Sequence, residues 1–388
     1  MNGTASSSSP TFKALRLHGQ TDIRLDEVSR LDCGTGHVRI RIAFCGIRGT
    51  DLKEYTSGPV FCPKPGETHA LTGCRMPVVL GHEFSGIVVE VGEGVASSMI
   101  NVGSRVTVIP NLNDAQFGLP PCFACQSGRS NLCARTAYYG LNAPSGGFSQ
   151  EAVVYAANVF VLPESVSLQV GALVEPLSVA WHMVRTSGFQ AGQDALILGA
   201  GPIGLGLLLV LKVSGARKVI VSEVLERRRQ QAYAFGADEV VDPLAAKVQS
   251  DESDVPVSDV NHVVAKARET SAGGAGVAVA FDASGLQSTL DTAIAAVQPG
   301  GTVFNVAIHA KPLSLNPNDL GFSEKRYMGG IGYTKEDFRA VIAALGNGSL
   351  KAERMITSVV PLTDALEGAF RSLLEKKEDH IKVLVSGD

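Results

Sequence analysis

The chain has 388 residues, a formal net charge of -4, 19% charged residues and an isoelectric point near 6.1. The length suits two domains better than one core. The mild acidity excludes the basic footprint of a nucleic-acid partner or an anionic membrane surface, and no apolar run approaches the roughly 20 residues of a membrane span.

The start is Ser-rich from Met1 to Thr11 and has neither an apolar h-region nor an arginine-rich amphipathic pattern. It is expected to be a disordered tail over residues 1–10 and not a targeting signal, which makes the cytoplasm the expected location. The seven cysteines are odd in number, and three of them bunch at Cys122, Cys125 and Cys133. That pattern fits reduced thiols or a metal lobe better than a disulfide framework.

From Phe12 to about Pro163, short β-type runs punctuated by glycine follow one another: Val38 to Ala43, Gly86 to Gly92, Arg105 to Val108 and Glu151 to Val154. Such spacing predicts a compact antiparallel β unit. A helical stretch from Gly171 to Arg185 leads into the second half, where strands and helices alternate. Ala195-Leu196-Ile197-Leu198, Lys218 to Ser222, Val277 to Asp282 and Gly301 to Val306 read as buried strands of a doubly wound parallel sheet. The polar segment Gln249 to Asn261 reads as an exposed loop. The last strand-like run, Ile381 to Val385, has no obvious place in that sheet and is expected to return to the first domain.

Between the first two of these strands lies Gly199-Ala200-Gly201-Pro202-Ile203-Gly204, followed by an apolar helix of about three turns and by an acid, Glu223, 19 positions after Gly204. A lone GxGxxG is weak, but strand, glycine turn, helix, strand and acid together are the full context of a dinucleotide fingerprint. Gly199 allows the tight turn, Gly201 admits a pyrophosphate and Gly204 lets helix pack on strand. The helix N-terminus offers N–H groups to the phosphates. Glu223 suits ribose hydroxyls and repels a 2′-phosphate, which favours NAD. Arg227, Arg228 and Arg229 lie close enough to keep NADP open, with Arg228 a candidate cofactor contact beside Pro202 and Ile203.

Over roughly Thr11 to Ser386 the sequence resembles the medium-chain dehydrogenase/reductase family, on its zinc-dependent (R,R)-butanediol and sorbitol dehydrogenase branch. The matching stretches are Gly46-Ile47 before Gly49-Thr50-Asp51-Leu52, Gly81-His82-Glu83-Phe84-Ser85-Gly86, Gly146-Gly147-Phe148, Leu173-Val174-Glu175-Pro176-Leu177, the nucleotide fingerprint, and Gly329-Gly330-Ile331-Gly332-Tyr333-Thr334. The resemblance implies an α/β architecture: a GroES-like β-rich catalytic domain, over 11–183 and 326–388, with a doubly wound Rossmann domain over 184–325. It also implies NAD(P)(H), a small-molecule substrate, a homodimer or homotetramer, and a cleft between domains that holds the nicotinamide and usually a catalytic zinc.

Two departures decide what can be inherited. Where the resemblance places the catalytic zinc cysteine, this chain has Arg48; the relay hydroxyl Thr50 is present, but the relay histidine is replaced by Lys53. In the structural-zinc lobe, Cys122, Cys125 and Cys133 match the last three ligands and Leu119 stands at the first. Three thiolates and a leucine read as a lobe of free thiols, since structural zinc is held by four ligands. His82, Glu83 and Glu175 are the remaining members of the catalytic site and could in principle hold a divalent ion. A guanidinium among them instead predicts an ion-pair cluster without metal.

Without a Lewis acid, alcohol oxidation near neutral pH is hard and hydride delivery to an electrophilic substrate is easier. The expected enzyme is therefore a zinc-independent reductase acting on an activated ketone, enone or iminium. In it Arg48 holds an oxyanion, His82 acts as general acid, and Thr50 with Lys53 passes a proton. A conventional zinc polyol dehydrogenase and a non-redox cyclase or isomerase on the same scaffold are the alternatives.

Overall fold

A computed structural model of the chain describes residues 10–98, 100–245, 261–309 and 311–388. The Ser-rich start before Pro10 and the expected loop from Gln249 lie outside the described residues, save that Asn261 opens the helix Asn261–Thr270. The described chain divides into two units, one running to Glu175 and resuming at Ala352–Asp388, the other spanning Pro176–Lys351.

In the first unit the β-branched run His37–Gly46 forms the central strand of a seven-stranded sheet. The strand order is Val159–Val161, Arg105–Val108, Glu83–Val91, His37–Gly46, Lys382–Ser386 and Ile356–Pro361, with Glu151–Tyr155 also paired to His37–Gly46. The C-terminal strand enters antiparallel to His37–Gly46, with Leu384 opposite Gly46, and so carries Lys382 to the end of the strand that precedes Arg48. The apolar faces close over Leu17, Ile40, Phe84, Phe148 and Phe370. Each large side chain so buried contributes about 1.5–3 kcal/mol. Cys45 is fully buried in this core.

In the second unit six parallel strands take the order Glu239–Val241, Lys218–Ser222, Asp194–Leu198, Val277–Asp282, Val297–Asn305 and Arg326–Gly329. This is the doubly wound dinucleotide-binding order, in which the order of the strands reverses beside the first strand.

The expected boundaries at 183/184 and 325/326 are corrected to 175/176 and 351/352. Arg326–Gly329 pairs in register with Val297–Asn305 and adds the sixth strand. The following helix Lys335–Gly346 buries Phe338, Val341 and Ile342, so both belong to the dinucleotide unit. No helix among the described residues is long and apolar enough to cross a membrane.

Candidate active site

The His37–Gly46 strand ends as Ile47 donates its N–H to the Val383 carbonyl at 3.0 Å. Arg48 follows in an extended conformation and caps the helix Gly49–Ser57, with its own N–H held by the Asp51 carboxylate at 2.9 Å. An acid at this third helical position both satisfies the chain before the helix and suits the positive end of the helix dipole. The second oxygen of Asp51, which is fully buried, faces His82 Nδ1 at 3.4 Å.

His82 and Glu83 stand where the Glu83–Val91 strand begins, 4% and 0% exposed. Lys382, also buried, is ion-paired to Glu83 and donates to the Ile47 carbonyl at 3.2 Å. Glu175 lies in the first turn of the helix Val174–Thr186. Arg48 reaches it with Nη1 3.0 Å from both carboxylate oxygens, while Nε stands 3.9 Å from Glu83. The Arg48 side chain keeps 27% of its surface exposed.

Asp51, Glu83 and Glu175 together face two basic side chains, Arg48 and Lys382, and with these charged a proton on His82 brings the group to neutrality. Burial works against that proton, but the Asp51 carboxylate outweighs it and raises His82 above the ordinary imidazole range. Burial likewise pushes the Glu83 carboxyl up, with the Lys382 ammonium as the main opposing charge.

Of the residues the sequence singled out, the fold joins Arg48, His82, Glu83 and Glu175. Thr50 is half-buried on the first turn of the Gly49–Ser57 helix, and Lys53 lies exposed on the same helix, outside the cluster. Asp51 and Lys382 were not given roles by sequence. Asp51 could have been found from its position three residues into a helix, whereas nothing local marks Lys382.

The fingerprint in the second unit is built as its spacing dictates. The strand Asp194–Leu198 ends at Gly199, whose φ of 105° only glycine adopts readily, and Gly201 caps the helix Pro202–Val213 with Pro202 in its first turn. A side chain at Gly204 would collide with the Gly199 carbonyl, so the helix can approach the turn only without one. Ile203 lies half-buried in the first turn of that helix. Glu223 follows the strand Lys218–Ser222 and is turned onto the glycine loop: Oε2 accepts the Ala200 N–H at 2.8 Å and Oε1 the Leu225 N–H at 3.0 Å. Arg228 is half-buried in the helix Glu226–Ala234, and Arg229 is tied to the Glu223 and Val224 carbonyls and to Asp242.

Among the described residues, the donor atoms of His, Cys, Asp and Glu converge as a possible ion-binding group in the lobe, and this group is Asp114, Cys122, Cys125 and Cys133. The lobe therefore holds a carboxylate that counting cysteines did not reveal.

Two family models match, the alcohol dehydrogenase GroES-like domain over residues 34–164 and the zinc-binding dehydrogenase domain over residues 202–347. The chain is 38% identical to an (R,R)-butanediol dehydrogenase of Saccharomyces cerevisiae, with 97% of this chain and 96% of that protein covered. It is also 38% identical to a yeast protein named as a probable diacetyl reductase, (R)-acetoin forming, covering 89% of this chain and 83% of that one. The crystal structure of 2R,3R-butanediol dehydrogenase from Bacillus subtilis superposes with a TM-score of 0.85 at 36% identity, over 97% of this chain and 100% of that chain. The fold, the two matched domains and relatives of this similarity over the whole length agree: the chain belongs to the medium-chain dehydrogenase/reductase family and is a nicotinamide-dependent oxidoreductase with a GroES-like catalytic domain and a Rossmann domain.

Proposed function

We propose that this enzyme reduces a small activated ketone with NADH, and that Arg48 and His82, in place of a catalytic zinc, handle the charge that develops on the substrate oxygen. The observation that carries the reading is the seat of Arg48, its Nη1 3.0 Å from both oxygens of Glu175 and its Nε facing Glu83. A divalent ion among these carboxylates would lie against a permanent guanidinium charge and would lack the family's thiolate. The residues present therefore do not fit the family's zinc, and no step is drawn through it.

The nicotinamide, when bound, supplies the hydride. This chain's part is to bind the dinucleotide at Gly199, Gly201 and Gly204, with Glu223 disfavouring a 2′-phosphate, and to meet the new oxyanion. The Arg48 guanidinium supplies the positive charge that meets it, and in acyl-transfer enzymes the loss of one oxyanion donor costs about 10²–10³ in rate. Asp51 Oδ1 faces His82 Nδ1 at 3.4 Å, so the proton given to the substrate oxygen is assigned to Nε2. Thr50, the relay hydroxyl of the family motif, is given the part of passing that proton on. Lys53, exposed, serves at most to exchange it with solvent. A vicinal dicarbonyl, the substrate type in one relative's name, is electrophilic enough to need no Lewis acid. A homodimer or homotetramer is the proposed assembly, supported by the outer strand Arg326–Gly329, whose residues are all exposed.

The test follows NADH consumption with a vicinal diketone after chelation, at a temperature where circular dichroism shows the chain folded. Undiminished turnover is expected. Activity lost on chelation and restored by zinc gives the site to the second reading, a zinc-dependent secondary alcohol or polyol dehydrogenase. That reading is favoured by the (R,R)-butanediol dehydrogenases among the relatives and by the retained His82, Glu83 and Glu175. No observation favours a non-redox cyclase or isomerase.

A further inference from the structure

The structure assigns Asp114 as the fourth ligand of a zinc site in the cysteine lobe, completing a Cys3Asp set with Cys122, Cys125 and Cys133. The four donor atoms lie within 4.8 Å of one another, and the Cys122 and Cys133 sulfurs are 3.9 Å apart. A zinc–sulfur bond of about 2.3 Å puts two thiolates of a tetrahedron about 3.8 Å apart, so the sulfurs already stand at the edge length of a filled site.

The reason an aspartate five residues early can serve lies in the backbone. The Leu119 N–H bonds the Asp114 carbonyl at 3.0 Å, which closes residues 114–119 into a turn and sets Asp114 beside the position that the cysteine spacing leaves to Leu119. Asp114 is only 1% exposed. Its carboxylate is oriented on both sides, with Oδ2 accepting the Cys122 N–H at 2.7 Å and Oδ1 accepting Arg135 Nε at 2.7 Å. Arg135 also fixes the rim, through Nη2 to the Pro120 carbonyl at 2.6 Å and its own N–H to Cys133 Sγ at 3.5 Å. Hydrogen bonds of this kind orient metal ligands and temper the negative charge of a three-thiolate, one-carboxylate set. A closed tetrahedral set rich in thiolates suits zinc, a borderline-soft ion without redox chemistry, and gives the ion a structural role.

The rival account is that Asp114 only organises its loop through Cys122 and Arg135 around three metal-free thiols. The full-length chain, loaded with zinc and desalted, is assayed for metal content, for zinc retention against a chromophoric chelator and for its melting temperature. One zinc per chain is expected in the lobe, lost in Cys125→Ser. Asp114→Asn, which keeps the size and the acceptor for Cys122, should release zinc to the chelator at least tenfold more readily. Cobalt substitution adds a readout specific to the lobe, because the Arg48 cluster contains no thiol. The wild type should show thiolate-to-cobalt charge transfer, and Asp114→Cys should retain the ion with a stronger sulfur band. A wild type that takes up no zinc overturns the site. Zinc retention unchanged by Asp114→Asn, or a cobalt spectrum unchanged by Asp114→Cys, overturns the part given to Asp114.

Discussion

Arg48 Nη1 stands 3.0 Å from each carboxylate oxygen of Glu175, a residue 127 positions further along the chain. The contact joins the residue that stands where the family resemblance leads one to expect a catalytic thiolate to a carboxylate of the proposed site. Removing the guanidinium leaves Glu175 and Glu83 to repel each other in a buried setting. Breaking a buried pair costs about 3–5 kcal/mol, and the partial exposure of Arg48 places Arg48→Ala at the lower end of that range. Chemical denaturation should show this loss together with a fall in diketone turnover of about 10² or more. A variant as stable and as active as wild type would leave Arg48 without the role given to it.

Arg48→Cys separates the two readings of the site. It places a thiolate beside His82, Glu83 and Glu175 and removes the opposing charge, so the variant should bind one zinc per chain more than wild type and gain oxidation of a vicinal diol while losing diketone reduction. Metal analysis and the two assays decide it. Extra zinc with native reduction intact would make Arg48 a spacer.

The pH dependence follows from His82. Its folded-state pKa is raised by Asp51, so its contribution is fully present below the ordinary imidazole value of about 6.5 and is lost as pH rises through the folded pKa. Reduction, which needs the protonated ring, should fall along the same alkaline limb. Asp51→Asn keeps an acceptor for the Arg48 N–H and removes the charge, and should move that limb to lower pH. A limb that stays in place in Asp51→Asn means that another group supplies the proton.

The two oxygens of Glu223 are held by the Ala200 and Leu225 N–H groups, which fixes a negative charge at the end of the Lys218–Ser222 strand. NADH should bind about tenfold or more tightly than NADPH, a difference of about 1.4 kcal/mol, and Glu223→Ala should narrow the gap. Fluorescence titration of both nucleotides measures it. Tighter NADPH binding by the wild type would shift the weight to Arg227, Arg228 and Arg229.

What could be read in the sequence was what local order encodes. The Asp194–Leu198 strand, the turn at Gly199 and the acid at Glu223 lie within one βαβ unit, so their spacing carries their geometry. Arg48 was visible because it interrupts a recognisable motif. Asp114 was not, because its approach to Cys122 depends on a turn closed by Leu119, and a search at cysteine spacing passes over it. The Arg326–Gly329 strand was assigned to the wrong unit because four residues are too few to show a strand period, and its place comes from pairing with Val297–Asn305. Lys382 was hidden for a related reason: a lysine in a terminal strand reads as solvent-facing until the antiparallel register brings it beside Glu83.

The Lys382–Glu83 pair gives a test of this last relationship that does not depend on the substrate. Both side chains are buried, at 3% and 0% exposure, so Lys382→Met strands a carboxylate in the core and should cost about 3–5 kcal/mol. Burial already pushes the Glu83 carboxyl up, and losing the ammonium pushes it further. A carboxyl raised in the folded state penalises the charged form, so the deficit of Lys382→Met should be small below the ordinary glutamate value of about 4.3 and widen as pH rises through the folded pKa. Glu83→Gln removes the charge that Lys382 answers. In a double-mutant cycle, adding it to Lys382→Met should recover part of the loss, with a coupling of about 1–3 kcal/mol. Urea unfolding of the four proteins at pH 5 and pH 8 supplies both numbers. A deficit that does not grow with pH, or a double variant whose losses simply add, would show that Lys382 packs beside Glu83 without holding its charge.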